Sequence, residues 1–454
     1  MAAEPDQTAA PAKRGPVPLA LAIAASLPGA YLGLAELFHL GHPSFAPPLL
    51  ALTYGVAVIG AAFVLAWAAE AAQLDVSASL AIGVLALIAV LPEYAVGFVF
   101  AWKGGNDFAE HGFACKAPGA EGNSNCSLVL ANMTGANRLL IGIGWALIVF
   151  IAYWQWRRRG ERHEGVAMER TKAVELAFLS LASAYCLTLP LKRSVTLIDA
   201  VILVSIFVAY TLRISKAPQT HPDLIGPAAW IGGMSKGARR ASVLSLFVFA
   251  GVVILLVAEH FAESLVETGA ELGVSEFLLV QWLAPLASEA PELLVVALYA
   301  WRLKTSEALT AVVSSKINQW TLLVGTLPLV FAIASGSLHG LPVETAQREE
   351  VLLTAAQTVF AVAILVNLCI SLREAFALFG LFWAQFLLGA LVPPSSKGIE
   401  LLGLSAVYIV LGVWLLARKH GDFRRLLRDG FRTPYSQLEP EAAAQGSAPS
   451  QVTK

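Results

Sequence analysis

Between Gln281 and Trp301 an apolar stretch carries Ser288, Glu289 and Glu292, with Pro291 set among them. A second apolar stretch follows at once and carries Ser314, Ser315, Asn318 and Gln319. Carboxylates in the middle of a membrane-length segment are costly and mark an ion or substrate path. Proline frees backbone carbonyls, which is tolerated at membrane depth only where they face protein or a wet cavity. Two oxygen-rich interruptions on neighbouring helices are what a dehydrated cation needs.

The same pattern occurs earlier in the chain. Leu91–Lys103 (LPEYAVGFVFAWK) aligns with Ala290–Arg302 (APELLVVALYAWR), which places Pro92 on Pro291 and Glu93 on Glu292, 199 positions apart. Met133–Gly144 aligns with Ser314–Gly325, placing Thr134 on Ser315, Asn137 on Asn318 and Arg138 on Gln319, 181 positions apart. The loop around Cys115 accounts for the difference in spacing.

The elements that must hold these residues are membrane helices. The chain is 57% hydrophobic and 14% charged, with a mean hydropathy of +0.67, which excludes an ordinary soluble protein. Apolar runs of crossing length lie at 17–38, 47–72, 78–102, 128–155, 173–190, 195–213, 241–263, 276–301, 307–334, 350–369, 372–392 and 399–417. Lys and Arg crowd the alternate loops at 157–172, 213–240 and 418–432, whereas the intervening loops hold only Lys103, Lys116, Lys192, Arg193, Arg348 and Lys397. That asymmetry puts both termini in the cytoplasm. It also makes the Pro92-Glu93 and Pro291-Glu292 helices cross in opposite senses. Inverted repeats whose interrupted helices meet at the midplane are the signature of a secondary transporter.

The implied order is a disordered tail (1–16), an extra helix (17–38), a first repeat half (47–213), a cytoplasmic linker (214–240), a second half (241–392), an extra helix (399–417) and a cytoplasmic tail (418–454). The net charge of −1 gives no support for a nucleic-acid partner. Cys115 and Cys126 are close enough in sequence to bridge if their loop faces an oxidising compartment. Cys186 and Cys369 lie in apolar runs as packing residues. The uncleaved first helix and the Ala- and Gly-rich composition point to a bacterial inner membrane.

These repeats resemble the alpha repeats of the calcium/cation antiporter superfamily, in particular the sodium/calcium exchanger membrane region. Ser288-Glu289-Ala290-Pro291-Glu292 resembles that family's Gly-Thr-Ser-Leu-Pro-Glu segment, and Ser315 to Gln319 its following Ser-x-x-x-Asn/Asp helix. The first copy offers Leu91-Pro92-Glu93 and Thr134 to Arg138. The resemblance implies an all-α polytopic fold of five-plus-five inverted repeats with about 12 helices, covering roughly residues 47–392. It implies alternating-access exchange of Ca2+, or another cation, for Na+. Ca2+ takes about six to eight oxygens at 2.3–2.6 Å. The implied ligands are Glu93 and Glu292, aided by Ser288, Glu289, Thr134, Asn137, Ser315, Asn318 and Gln319. Inorganic cations and the bilayer are then the partners, Ca2+ and Na+ (with H+ as a third candidate) are cargo, and no cofactor is implied.

Three departures bear on the coupling ion. Ala89-Val90 replace the family's Thr-Ser, Glu289 stands where the family has Ser, and Arg138 stands where it has an amide or acid. A guanidinium cannot ligate a metal, so Arg138 balances charge and can take a cation's place, as can Lys316. Proton coupling through Glu93, Glu289 or Glu292 is the first alternative reading, and a sensor plugged by Arg138 the second. Structural readings stand beside these: Glu93 and Glu292 as salt-bridge partners of Arg138 and Lys316, and the asparagines as interhelical glue. An enzyme using Glu289 and Glu292 as acid and base lacks a nucleophile, and the chain is not read as one.

Overall fold

The computed structural model describes residues 16–40, 45–75, 91–119, 122–217, 224–393 and 396–438. The expected tails outside 16–438 and the Ala89-Val90 departure lie beyond them. The first elements are α1 (Pro16–Leu37), α2 (Pro47–Ala72), α3 (Leu91–His111), α4 (Asn125–Leu139) and α5 (Ala146–Arg159). Next come β1 (Val166–Ala167), α6 (Ala173–Cys186), β2 (Ser194–Val195), α7 (Leu197–Ile214), α8 (Pro227–Gly232), α9 (Lys236–Leu272) and α10 (Glu276–Trp301). The remainder is α11 (Thr305–Asn318), α12 (Val324–Ser335), β3 (Leu341–Pro342), α13 (Thr345–Leu365), β4 (Cys369–Ile370), α14 (Leu372–Leu391), α15 (Lys397–Arg418), α16 (His420–Phe431) and α17 (Tyr435–Leu438).

Among the described residues, ten helical segments are long and apolar enough to cross a membrane. Eleven of the twelve expected spans fall on helices, and so does the described part (91–102) of the remaining one. The two outside the ten are α3, whose expected start at 78–90 lies beyond the described residues, and α13, whose first turns carry Arg348, Glu349 and Glu350. The architecture is an all-α polytopic membrane fold.

Two compact units divide the chain, one formed by Met1–Phe100 with Gln219–Pro291 and the other by Ala101–Pro218 with Glu292–Lys454. In the first, α2 packs against α1 and α9. Its buried Ala57, Ala61, Val64, Ala68 and Ala71 recur every three or four residues, a helical stripe of small side chains that lets neighbouring backbones approach. Helix α9 overruns the expected 241–263 span at both ends because polar turns extend it. At the close of α2, Arg239 donates to both oxygens of Asp75 (2.6 and 3.0 Å) and Arg240 adds a third bond. The Arg239 guanidinium, helped by Arg240, holds the Asp75 carboxyl below the usual carboxylate range.

In the second unit, α13 is buried on nearly every side from Val351 to Leu365, beyond its charged first turns. Two antiparallel ribbons, β1 with β4 and β2 with β3, tie the ends of the helices. They are copies of each other. Adding 175 to residue numbers carries β1 onto β3 and β2 onto β4, and carries the pairs Val166–Ile370 and Ala167–Cys369 onto Leu341–Val195 and Pro342–Ser194. The flanking bonds follow the same rule: Met168 N to Leu368 O becomes Val343 N to Arg193 O. Capping boxes open α7 (Thr196, Asp199) and α14 (Ser371, Glu374), again 175 apart. In the loop before α4, Cys115 and Cys126 are joined in a disulfide with their Cα atoms 6.0 Å apart.

Candidate cation site

Three of the expected site residues belong to the first unit. Glu93 lies in the first turn of α3 and is 3% exposed. Helix α10 runs unbroken through Pro285 and Pro291. The interruption expected from the sequence is therefore a defect in the hydrogen-bond ladder, not a gap. Ser288 donates back along the helix to the carbonyls of Ala284 and Pro285 at 3.2 Å each. Glu289 is buried beside it at 3% exposure.

The other residues belong to the second unit, on α4, α10 and α11. Each of the latter helix pairs passes through a π turn, α4 into α5 at Leu140–Trp145 and α11 into α12 at Gln319–Leu323. Such turns bulge the backbone where side chains have a task. Thr134 donates to the carbonyls of Leu130 and Ala131 (2.8 and 3.2 Å). Ser315 is 8% exposed, and its hydroxyl makes no well-formed hydrogen bond. Asn318 and Gln319 are buried on the same helix.

Two fixed cations occupy this region. The Lys316 ammonium is fully buried and donates to the backbone carbonyl of Asn137 and to its Oδ1, the latter at 2.7 Å. It also lies 5.2 Å from the centre of the Trp320 ring. Asn137 donates in turn to the Met133 carbonyl at 2.8 Å. The amide oxygen that the sequence offers to a transported cation thus accepts from a lysine in this structure. Arg138, also fully buried, pairs with Glu350 at 2.7 Å and donates to the Thr134 carbonyl. Glu350 is absent from the sequence-derived site. Its signal was present in the 175-residue echo, which places Glu350 on Glu175, but neither acid lies in the repeats that carry the proline motif.

Around these groups, Trp320 of the π turn donates to Thr358 at 2.9 Å, and Tyr210 donates to Ser314 of α11 at 3.2 Å. Among the described residues no three His, Cys, Asp or Glu side chains are grouped closely enough to hold a metal ion. A transported cation must therefore complete its shell from hydroxyl, amide and carbonyl oxygens.

A polytopic helical membrane protein with buried acids, hydroxyls and fixed cations on bulged helices has the parts of a secondary transporter, not of an enzyme. Residues 45–216 and 242–392 match the family described as sodium/calcium exchanger protein, and the chain belongs to that family. It is 40% identical to a solved structure described as the H+/Ca2+ exchanger CAX, covering 94% of this chain and 100% of that one with a TM-score of 0.81. It shares the fold of native YfkE at 15% identity, with a TM-score of 0.55 over 87% of this chain and 100% of that one. No curated protein matches the chain.

Proposed function

We propose that the chain is a proton-coupled Ca2+ antiporter, the alternative to Na+ coupling that the sequence left open. The observation that carries this reading is the seat of Lys316 on both carbonyl oxygens of Asn137. A sodium-driven exchanger needs further oxygen-lined places for monovalent ions, and here an ammonium already holds two of the oxygens. Arg138 is likewise a permanent charge beside Thr134. The 40% identity to a structure described as an H+/Ca2+ exchanger supports the same choice.

In this reading Glu93 and Glu292 are the acids that alternate between cargo and proton. An ionised carboxylate at membrane depth is costly without a counter-charge. Either Ca2+ or a proton must neutralise each of these carboxylates, and that exclusivity is the exchange. Ser315, Thr134, Ser288 and Glu289 add oxygens. The halves 47–213 and 241–392 form the inverted repeat, a reading supported by the in-register duplication of the ribbons. Both termini lie in the cytoplasm of a bacterial inner membrane, a placement supported by the asymmetry of Lys and Arg between loops.

Purified full-length protein in vesicles tests the proposal with radiolabelled Ca2+. A pH gradient should drive uptake and a Na+ gradient should not, and Glu292→Gln should lower the rate by at least about a hundredfold. Uptake driven by Na+ alone at matched pH would overturn proton coupling.

A further inference from the structure

Helix α16 has two faces with different occupants. On one, Leu426 is buried, and Gly430 fits so closely against Ala177 and the Ala173 carbonyl of α6 that a Cβ there would collide with them. Phe431 meets the Phe178 ring edge-on at 5.1 Å. Arg170 binds Asp429 at 2.8 Å, and Arg213 donates to the carbonyls of Gly430 and Thr433. This face is clamped to the second unit.

The opposite face is basic. At 100° per residue, Arg424, Arg425 and Arg428, with Arg432 just past the helix end, fall within one arc of about 100°. All four are exposed, as is Arg418. Arg428 has a long pairing of 3.6 Å with Asp429, whereas Arg424, Arg425 and Arg432 have no ion-pair partner among the described residues. A cavity of about 550 Å³ opens beside Arg425, lined also by Arg170, Asn367, Cys369 and Asp422. The position along the chain matters as much as the charge. Helix α16 follows directly on the membrane-length α15, whose last turn stacks Arg418 over Trp414 at 4.7 Å. Tryptophan and arginine at the end of a span mark the level of the headgroups.

We propose that the basic face of α16 binds the headgroups of anionic phospholipids. Its occupant is the bilayer surface. The charge is complementary, the arginines lie on one arc, and the preceding span brings them to headgroup depth. Lipid on this face holds α16 against α6, because the opposite face already carries the contacts to Arg170 and Arg213.

The test uses the full chain in detergent, titrated with phosphatidylglycerol or phosphatidylcholine and read by native mass spectrometry. Phosphatidylglycerol should bind at least about tenfold more tightly at low salt and lose that preference in high salt. The variant R424Q/R425Q/R428Q/R432Q should lose the preference while its thermal unfolding in lipid-free detergent matches wild type. R157Q/R158Q/R159Q, on another loop, should keep it. Equal binding of the two lipids by wild type, or an undiminished preference in the α16 variant, would overturn the proposal. So would complete displacement of phosphatidylglycerol by an equal concentration of inorganic phosphate, since the site would then take a free anion.

Discussion

Segments 165–200 and 340–375 of the second unit share one backbone plan and differ in how they handle charge. In both, a glycine opens a two-residue strand, a buried helix follows, a second short strand pairs across, and a capping box starts the next helix. Glu175 in the first corresponds to Glu350 in the second. Glu350 holds the buried guanidinium of Arg138 at 2.7 Å. In the repeat alignment Arg138 corresponds to Gln319, so no guanidinium stands at the matching place for Glu175, whose Oε2 is buried without a hydrogen-bond partner. The capping acids diverge in the same manner, Asp199 taking its lysine from nearby Lys192 and Glu374 taking Lys419 from the end of α15. The two segments share a frame and carry different charges on it.

The largest way to break this comparison is to neutralise the two acids. Glu350→Gln strips Arg138 of its counter-charge at a fully buried site, which should cost about 3 kcal/mol or more of stability. Adding Arg138→Met should recover most of that loss, because two buried charges leave together. Glu175→Gln removes a carboxyl whose buried oxygen is unpartnered, so it should change stability by less than about 0.5 kcal/mol or raise it. Thermal unfolding of these three variants and wild type in one detergent checks the signs. Equal losses at Glu175 and Glu350 would mean that Glu175 has a strong partner of its own.

The shared frame makes a matching pair of smaller predictions. A Cβ on Gly165 would meet the Cys369 sulfur at 2.5 Å and the Ile370 carbonyl at 2.9 Å, and one on Gly340 would collide with the Val195 carbonyl group. Each Gly→Ala change should cost about 2 kcal/mol by forcing a ribbon apart. The two effects should agree within about 0.5 kcal/mol, and measured unfolding temperatures that differ widely would show that the ribbons are not equivalent.

Much of this was legible in the sequence. Long apolar runs announce membrane helices because every backbone group must bond within its own segment, and the expected runs fall on helices wherever the residues are described. The repeated proline-acid motif located Glu93 and Glu292, whose role remains a proposal. The ribbons were not legible. Their strands are two residues long, too short for any periodicity, and their register depends on residues 175 positions apart. Helix α16 was read as part of a decaying tail because its arginines mask the apolar arc of Phe423, Leu426 and Leu427. The partner of Arg138 escaped for a similar reason. Glu350 lies near the start of an apolar run, where an acid reads as a solvated helix end, and only the packing of α13 against α4 brings it to the guanidinium.

The smallest predicted effect concerns what covers each copy. At Arg170 the first segment is clamped by Asp429 of α16, whereas its counterpart in the second segment is Thr345, which carries no charge to clamp. The Asp429 side chain is 2% exposed. Burial acts to raise its pKa, but hydrogen bonds from Arg170 (2.8 Å) and Thr433 (3.0 Å) outweigh that and hold the carboxyl below the usual range. A carboxylate depressed in the folded state stabilises it fully above the unfolded value of about 3.9, and that contribution is lost as pH falls through the lower folded value. Asp429→Asn should therefore unfold more easily than wild type at pH 7, by about 1 kcal/mol because Arg170 is half exposed and screened. The two proteins should converge as pH drops below about 4. Arg170→Gln should reproduce the neutral-pH loss, and the double variant should lose no more than either single change. A gap between Asp429→Asn and wild type that persists unchanged to acid would assign α16's hold on the first segment to the packing of Leu426 and Gly430 instead of to this charge.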